Sequence, residues 1–123
     1  MNVVDSSAWL SYFAGDDNAV VFAEPINRLP ELLVPSITLT EVFKSVLRQR
    51  GEEAALIVTA HMEQGKVIPL DADLAKDAAK YGVLHKLPLA DSIIYATAQR
   101  YSALIWTQDR DFEGLAGVRY ISK

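Results

Sequence analysis

The sequence predicts an α/β fold, a parallel sheet covered by helices on both faces. Three observations lead there. Short apolar runs of strand length alternate with helical segments from one end of the chain to the other. Prolines and glycines fall between those segments as punctuation, and no internal repeat or linker interrupts the pattern. At 123 residues, 50% apolar and 23% charged, the chain suits one domain, read here as 1–123, with a real core. The same balance excludes disorder, collagen-like repeats and low-complexity architecture.

Taken in order, Asn2-Val3-Val4-Asp5 reads as a short buried strand that runs straight into a helix begun by Ser6-Ser7-Ala8-Trp9-Leu10. Residues 17–30 read as helix broken by Pro25 and Pro30, since neither fits inside a regular helix. Leu32-Leu33-Val34-Pro35 is a second strand, followed by a helix through Gly51 and another over 52–64 closed by Gly65. Residues 66–70 form the third strand. The next helix starts near Asp71 and carries Leu74, Ala75, Ala78, Ala79 and Gly82 on one side, small enough for close packing. Pro88 introduces a helix with Ile93, Ile94, Thr97, Ala98 and Tyr101 at helical spacing. Residues 103–107 and 117–121 supply strands four and five. In such sheets function collects beyond the carboxyl ends of the strands, near a topological switch point.

Several classes of function drop out at once. With no cysteine there is neither a disulfide framework nor a thiolate metal site. Sixteen acids against twelve bases give net −4, so bulk charge does not draw the chain to nucleic acid. The opening residues lack the basic and apolar regions of a signal peptide, and no stretch spans a bilayer. A cytoplasmic protein without a membrane partner is the expectation.

Acidic residues cluster just past the strands. Asp5 ends strand one, and Asp109 lies two residues past strand four in Thr107-Gln108-Asp109-Arg110-Asp111-Phe112. Glu41 and Asp91 fall in the first turns of helices. In a doubly wound sheet all four converge on one edge, where their mutual repulsion calls for a cation. Oxygen ligands without Cys or clustered His favour a hard ion, Mg²⁺ or Mn²⁺. Each acid also has an ordinary reading: Asp5 as a helix N-cap, Glu41 in a capping box with Thr38, Asp91 as a complement to the helix dipole, Asp109 and Asp111 as turn residues. Four independent caps, however, need not share an edge.

In the helix holding Glu41, Leu39, Val42, Phe43, Val46 and Leu47 form a stripe expected to face the core. Glu41, Lys44, Ser45 and Arg48 take the opposite side, as a ridge leading a phosphate backbone away from a metal or as an ordinary solvated face. Ser7 and Thr107 offer hydroxyls that orient carboxylates, whereas Ser6 and Ser92 read as helix-start residues. His61 and His85 have no nucleophile elbow to serve, and no Walker or G-x-G-x-x-G loop is present. Trp9 and Tyr12 belong either to the core or to a contact with a dimer mate or other partner.

Asp5-Ser6-Ser7, Glu41, Leu87-Pro88-Leu89-Ala90-Asp91-Ser92 and the run from Thr107 to Phe112, in that order and at those separations, resemble the motifs of PIN-domain proteins. Within that group the short chain and early Asp5 are similar to VapC-type ribonuclease toxins of toxin–antitoxin pairs, over essentially the whole length. The resemblance implies a PIN-like three-layer α/β/α fold with a central five-stranded, mostly parallel sheet. It further implies a homodimer, Mg²⁺- or Mn²⁺-dependent cleavage of RNA, and a cognate antitoxin whose tail blocks the acidic site. Carried over by position, Asp5, Glu41, Asp91 and Asp109 are the catalytic and metal-binding acids, with Ser7, Thr107 and Asp111 in support. RNA would be recruited by Lys44, Arg48 or Arg110. The rival readings are a receiver-like phospho-acceptor domain and a PIN-like interaction module without catalysis. A receiver domain needs paired acids after strand one, where this chain has Asp5-Ser6-Ser7.

Overall fold

Five strands join one all-parallel sheet in the computed structural model, which describes residues 1–123. They are β1 (Asn2–Val4), β2 (Leu32–Pro35), β3 (Lys66–Ile68), β4 (Leu104–Thr107) and β5 (Val118–Tyr120), in the order β3-β2-β1-β4-β5. Six helices connect them: α1 (Ser6–Ala14), α2 (Ala19–Ile26), α3 (Ser36–Arg50), α4 (Glu52–Met62), α5 (Ala72–His85) and α6 (Leu89–Arg100). Short 3-10 turns cover Leu29–Glu31 and Arg110–Phe112.

Strand period two sorts the core into two halves. Val4, Leu32, Val34 and Trp106 face Trp9, Phe22, Val42, Val46 and Met62 from the first four helices. Val3, Leu33 and Ile105 face Leu74, Ala78, Ile94 and Ala98 from α5 and α6. The three layers follow from that alternation. The chain steps outward from β1 to β2 and β3, then crosses back to place β4 on the other side of β1. The β1–β4 crevice is therefore the switch point, where sheets of this class bind ligands. A receiver-type sheet has the order 2-1-3-4-5, and this order rules that reading out.

The departures from the sequence expectations have local causes. Strand three stops at Ile68, because Pro69 has no N–H to continue the ladder. Pro25 does sit within a helix, in the last turn of α2, where the missing N–H costs a single backbone bond and its ring is buried. In α3 the buried line runs through Thr38, Val42 and Val46, while Leu39 and Phe43 are half-buried and Leu47 is 44% exposed. The covering α4 meets α3 from one side, so the far flank of the apolar stripe stays in water. Similarly, α5 rests on α6, so only a narrow line through Leu74 and Ala78 is covered, and Ala75 and Ala79 are exposed. Trp9 is fully buried and belongs to the core; Tyr12 is half-buried, edge-on to it. A side chain at Gly65 would force the buried Val34 and Leu32 to shift, since a Cβ there would lie 2.9 Å from Val34 Cγ2. No helix is long and apolar enough to cross a membrane.

Candidate active site

Asp5 leaves β1 at the switch point, and its N–H still bonds the Trp106 carbonyl of β4 at 3.1 Å. It then caps α1: its Oδ1 accepts from the Ala8 N–H at 3.1 Å and from the Ser7 hydroxyl at 2.8 Å. The side chain is almost wholly buried. Burial pushes its pKa up to about 6, against hydrogen bonds from Ser7, Ala8 and Thr107, with the charge of Asp109 adding to the rise. Thr107, the last residue of β4, also accepts from the Asp109 N–H at 2.9 Å.

Asp109 in turn caps the 3-10 turn, its Oδ1 accepting from the Asp111 N–H at 2.9 Å. That bond draws Asp111 back beside it. Across the crevice, Asp91 projects from the first turn of α6 and is 9% exposed. Ligand oxygens of Asp91, Asp109 and Asp111 all lie within 4.8 Å of one another. Burial raises the Asp91 pKa to about 8, reinforced by the charge of Asp109, a hydrogen bond with Asp111 and the charge of Asp5. No lysine or arginine compensates this charge: the three ion pairs of the molecule involve Glu24, Asp73 and Asp71.

Glu41 stands slightly apart. It is half-buried on α3, and its Oε1 accepts from the Ser6 hydroxyl at 2.6 Å, which ties it to the first turn of α1 next to Asp5. The capping box with Thr38 does not form; Thr38 instead donates to the Pro35 carbonyl at 2.7 Å. Thus the fold gathers Asp91, Asp109 and Asp111 most tightly, sets Asp5 against them, and links Glu41 through Ser6. Asp111 is more central than its place in the sequence suggests, and Ser6 does more than begin a helix.

The cations divide differently. Arg110 lies between Asp109 and Asp111 in sequence, is exposed and pairs with neither. Lys44 and Arg48 are exposed on α3, where Lys44 lines a recess with Phe43, Leu47, Thr59 and Glu63 that contains none of the clustered acids. Sequence reasoning also passes over Gln108, whose amide oxygen accepts from Asn18 Nδ2 at 2.9 Å and whose backbone N–H reaches Ser7 Oγ at 3.4 Å. Its place between Thr107 and Asp109 is the available signal.

The donor set fits a hard divalent cation. It consists of carboxylates with supporting hydroxyls and contains no sulfur or imidazole, and burial, then the charge of Asp109, raises the pKa of Asp91 within it. Asp91, Asp109 and Asp111 are the residues placed to hold such an ion, with Asp5 adjoining.

Comparison with known proteins agrees with the architecture. The fold is similar to a chain of a toxin–antitoxin complex from Klebsiella pneumoniae, at 25% identity over 98% of this chain and 100% of that one, with a TM-score of 0.82. Mycobacterium tuberculosis VapC20, a sarcin–ricin loop cleaving toxin, superposes with a TM-score of 0.78 at 23% identity, covering 97% and 99% of the two chains. DNA-bound VapBC from Salmonella typhimurium gives 0.75 at 16% identity over 98% and 96%. At the last two identities the likeness is one of fold. No curated protein matches the sequence. The PIN domain family model, however, matches residues 3–118. With an all-parallel sheet and an acidic cluster at its switch point, the chain belongs to the PIN-domain family.

Proposed function

We propose that residues 1–123 form one PIN domain acting as a metal-dependent endoribonuclease, the toxin of a toxin–antitoxin pair. The observation that carries this reading is the uncompensated group of Asp91, Asp109 and Asp111 against the buried Asp5. Its relatives support it: one neighbour is a toxin–antitoxin complex and another cleaves the sarcin–ricin loop. Mg²⁺ or Mn²⁺ is the proposed ion, and the substrate is RNA in the cytoplasm.

When bound, the ion neutralises phosphodiester charge and makes water a better nucleophile at neutral pH. The chain's own residues prepare that site. Asp91, Asp109 and Asp111 supply ligand oxygens on one side of the crevice. Asp5 is held by Ser7 and the Ala8 N–H, so its carboxylate keeps a fixed orientation. To Glu41, tied by Ser6 to the first turn of α1, we assign the removal of a proton from attacking water. None of the residues needs to form a covalent bond to phosphorus.

A cognate antitoxin and a second copy of the chain are the proposed partners. The exposed apolar residues Leu47, Leu56 and Ile57 on α3 and α4, and Val83, Leu84 and Leu89 on α5 and α6, offer surfaces for them.

The test is cleavage of an RNA oligonucleotide with Mg²⁺ or Mn²⁺, with and without EDTA. Metal-dependent products that vanish with EDTA are expected. Metal binding without any cleavage across varied RNAs would favour the interaction module instead.

A further inference from the structure

On the β5 side of the acids lies a polar recess of about 470 Å³, with Ser7, Gln108, Asp109, Arg110, Tyr120 and Lys123 in its walls. Asp109 and Ser7 belong to both places, so the recess opens directly from the acidic site. Resting on the nuclease reading, the geometry points to this recess as the subsite for a nucleotide flanking the scissile phosphate. The base stacks on Tyr120, and its phosphate meets Arg110 and Lys123.

The walls are of the right chemistry. Tyr120 is the one apolar group among the lining residues, and an aromatic face is the common sequence-tolerant platform for an unpaired base. Arg110 sits between two aspartates in sequence yet pairs with neither. The carboxylates of Asp109 and Asp111 are gathered toward Asp91, which leaves the guanidinium for a phosphate. A protein of net −4 needs such local cations to retain RNA.

The recess is also braced. Gln108 is 9% exposed and tethered by Asn18, whose Nδ2 also donates to the Ser122 carbonyl at 3.1 Å. This amide network joins the start of α2, the end of β4 and the chain after β5. The walls are therefore fixed before a ligand arrives, which lowers the ordering cost of binding. A volume of that size falls within the range of small-ligand pockets.

Two measurements test the assignment. In steady-state cleavage of an oligoribonucleotide, Tyr120→Ala should raise KM roughly 10- to 100-fold with kcat little changed, and Tyr120→Phe should stay near wild type. Arg110→Gln should raise KM and reduce the slope of log KM against log salt by about one. Because Arg110 is exposed, this variant carries the test if Tyr120→Ala proves unstable. Independently of catalysis, titrating the isotope-labelled protein with nucleoside 5′-monophosphates should shift the amide resonances of Gln108, Arg110 and Tyr120. Shifts there from a wild type that cleaves no RNA would sink the nuclease reading and keep the nucleotide site. Unchanged KM in the variants of an active enzyme would overturn the subsite and leave the nuclease reading intact. Loss of antitoxin binding with unaltered KM would equally overturn it, as a protein contact.

Discussion

Asp91→Asn is expected to abolish RNA cleavage, by at least about 100-fold, while raising the melting temperature of the metal-free protein. Both effects have one cause. On the proposed mechanism the carboxylate is a metal ligand whose loss removes the metal-dependent step, and amide oxygen is a poor substitute for its charge. In the absence of metal the same charge is a liability, since burial and the neighbouring Asp109, Asp111 and Asp5 disfavour it. Asp5→Asn should behave alike. There the rise from 3.8 to about 6 corresponds to a destabilisation on the order of 3 kcal/mol at pH well above 6. Asparagine caps a helix as well as aspartate does, so the α1 cap survives. Asp5→Ala is the control, because it relieves the charge but forfeits the cap, at a cost of about 1 kcal/mol. Calorimetry with EDTA and RNA cleavage with Mn²⁺, on the same preparations, measure the two effects side by side. Variants that remain active, or that lose activity only by unfolding, would contradict the expectation.

The second large effect is a stability profile that runs opposite to that of a salt-bridged carboxylate. Asp5 and Asp91 bind protons more tightly in the folded chain than in the unfolded one. Below pH about 4 both states are protonated and the groups contribute nothing. As pH rises, the unfolded state releases its protons first, so stability falls progressively through about 6 and on to about 8. Between pH 5 and 9 the metal-free protein should therefore melt highest at the acidic end. If these acids hold Mg²⁺ or Mn²⁺ as proposed, the ion binds them deprotonated, so its stabilisation should grow across that window and its binding should release protons. Melting temperatures from pH 5 to 9, with EDTA and with metal, check both slopes. A metal-free midpoint that climbs from pH 6 to 8 would oppose the account.

The sheet is legible in the sequence because its three inner strands, β2, β1 and β4, are short apolar runs that lead to a helix or turn, and burial on both faces leaves them little room for alternation. The strand ends are less so, since the apolar run of strand three continues through Pro69, where a ladder cannot. Helix faces mislead where a helix is covered from one side only: Leu47 and Ala75 satisfy the periodicity but meet water. For the site, the ordinary and functional readings of Asp5 and Asp109 do not compete. Each caps a helical turn, and the cap is what fixes its carboxylate at the sheet edge. Glu41 is ambiguous in the sequence because its partner, Ser6, is 35 residues away, and no local spacing distinguishes that bond from a capping box. Asp111 reads only as support because the sequence does not show that the exposed Asp111, its N–H bonded to Asp109, lies within reach of Asp91.

Manganese anomalous scattering from a soaked crystal probes the organising claim without passing through activity. A peak is expected between the carboxylates of Asp91, Asp109 and Asp111, next to Asp5, and it should disappear in Asp91→Asn. Manganese found only elsewhere on the molecule, or nowhere at saturating concentration, would mean that these acids do not form a metal centre.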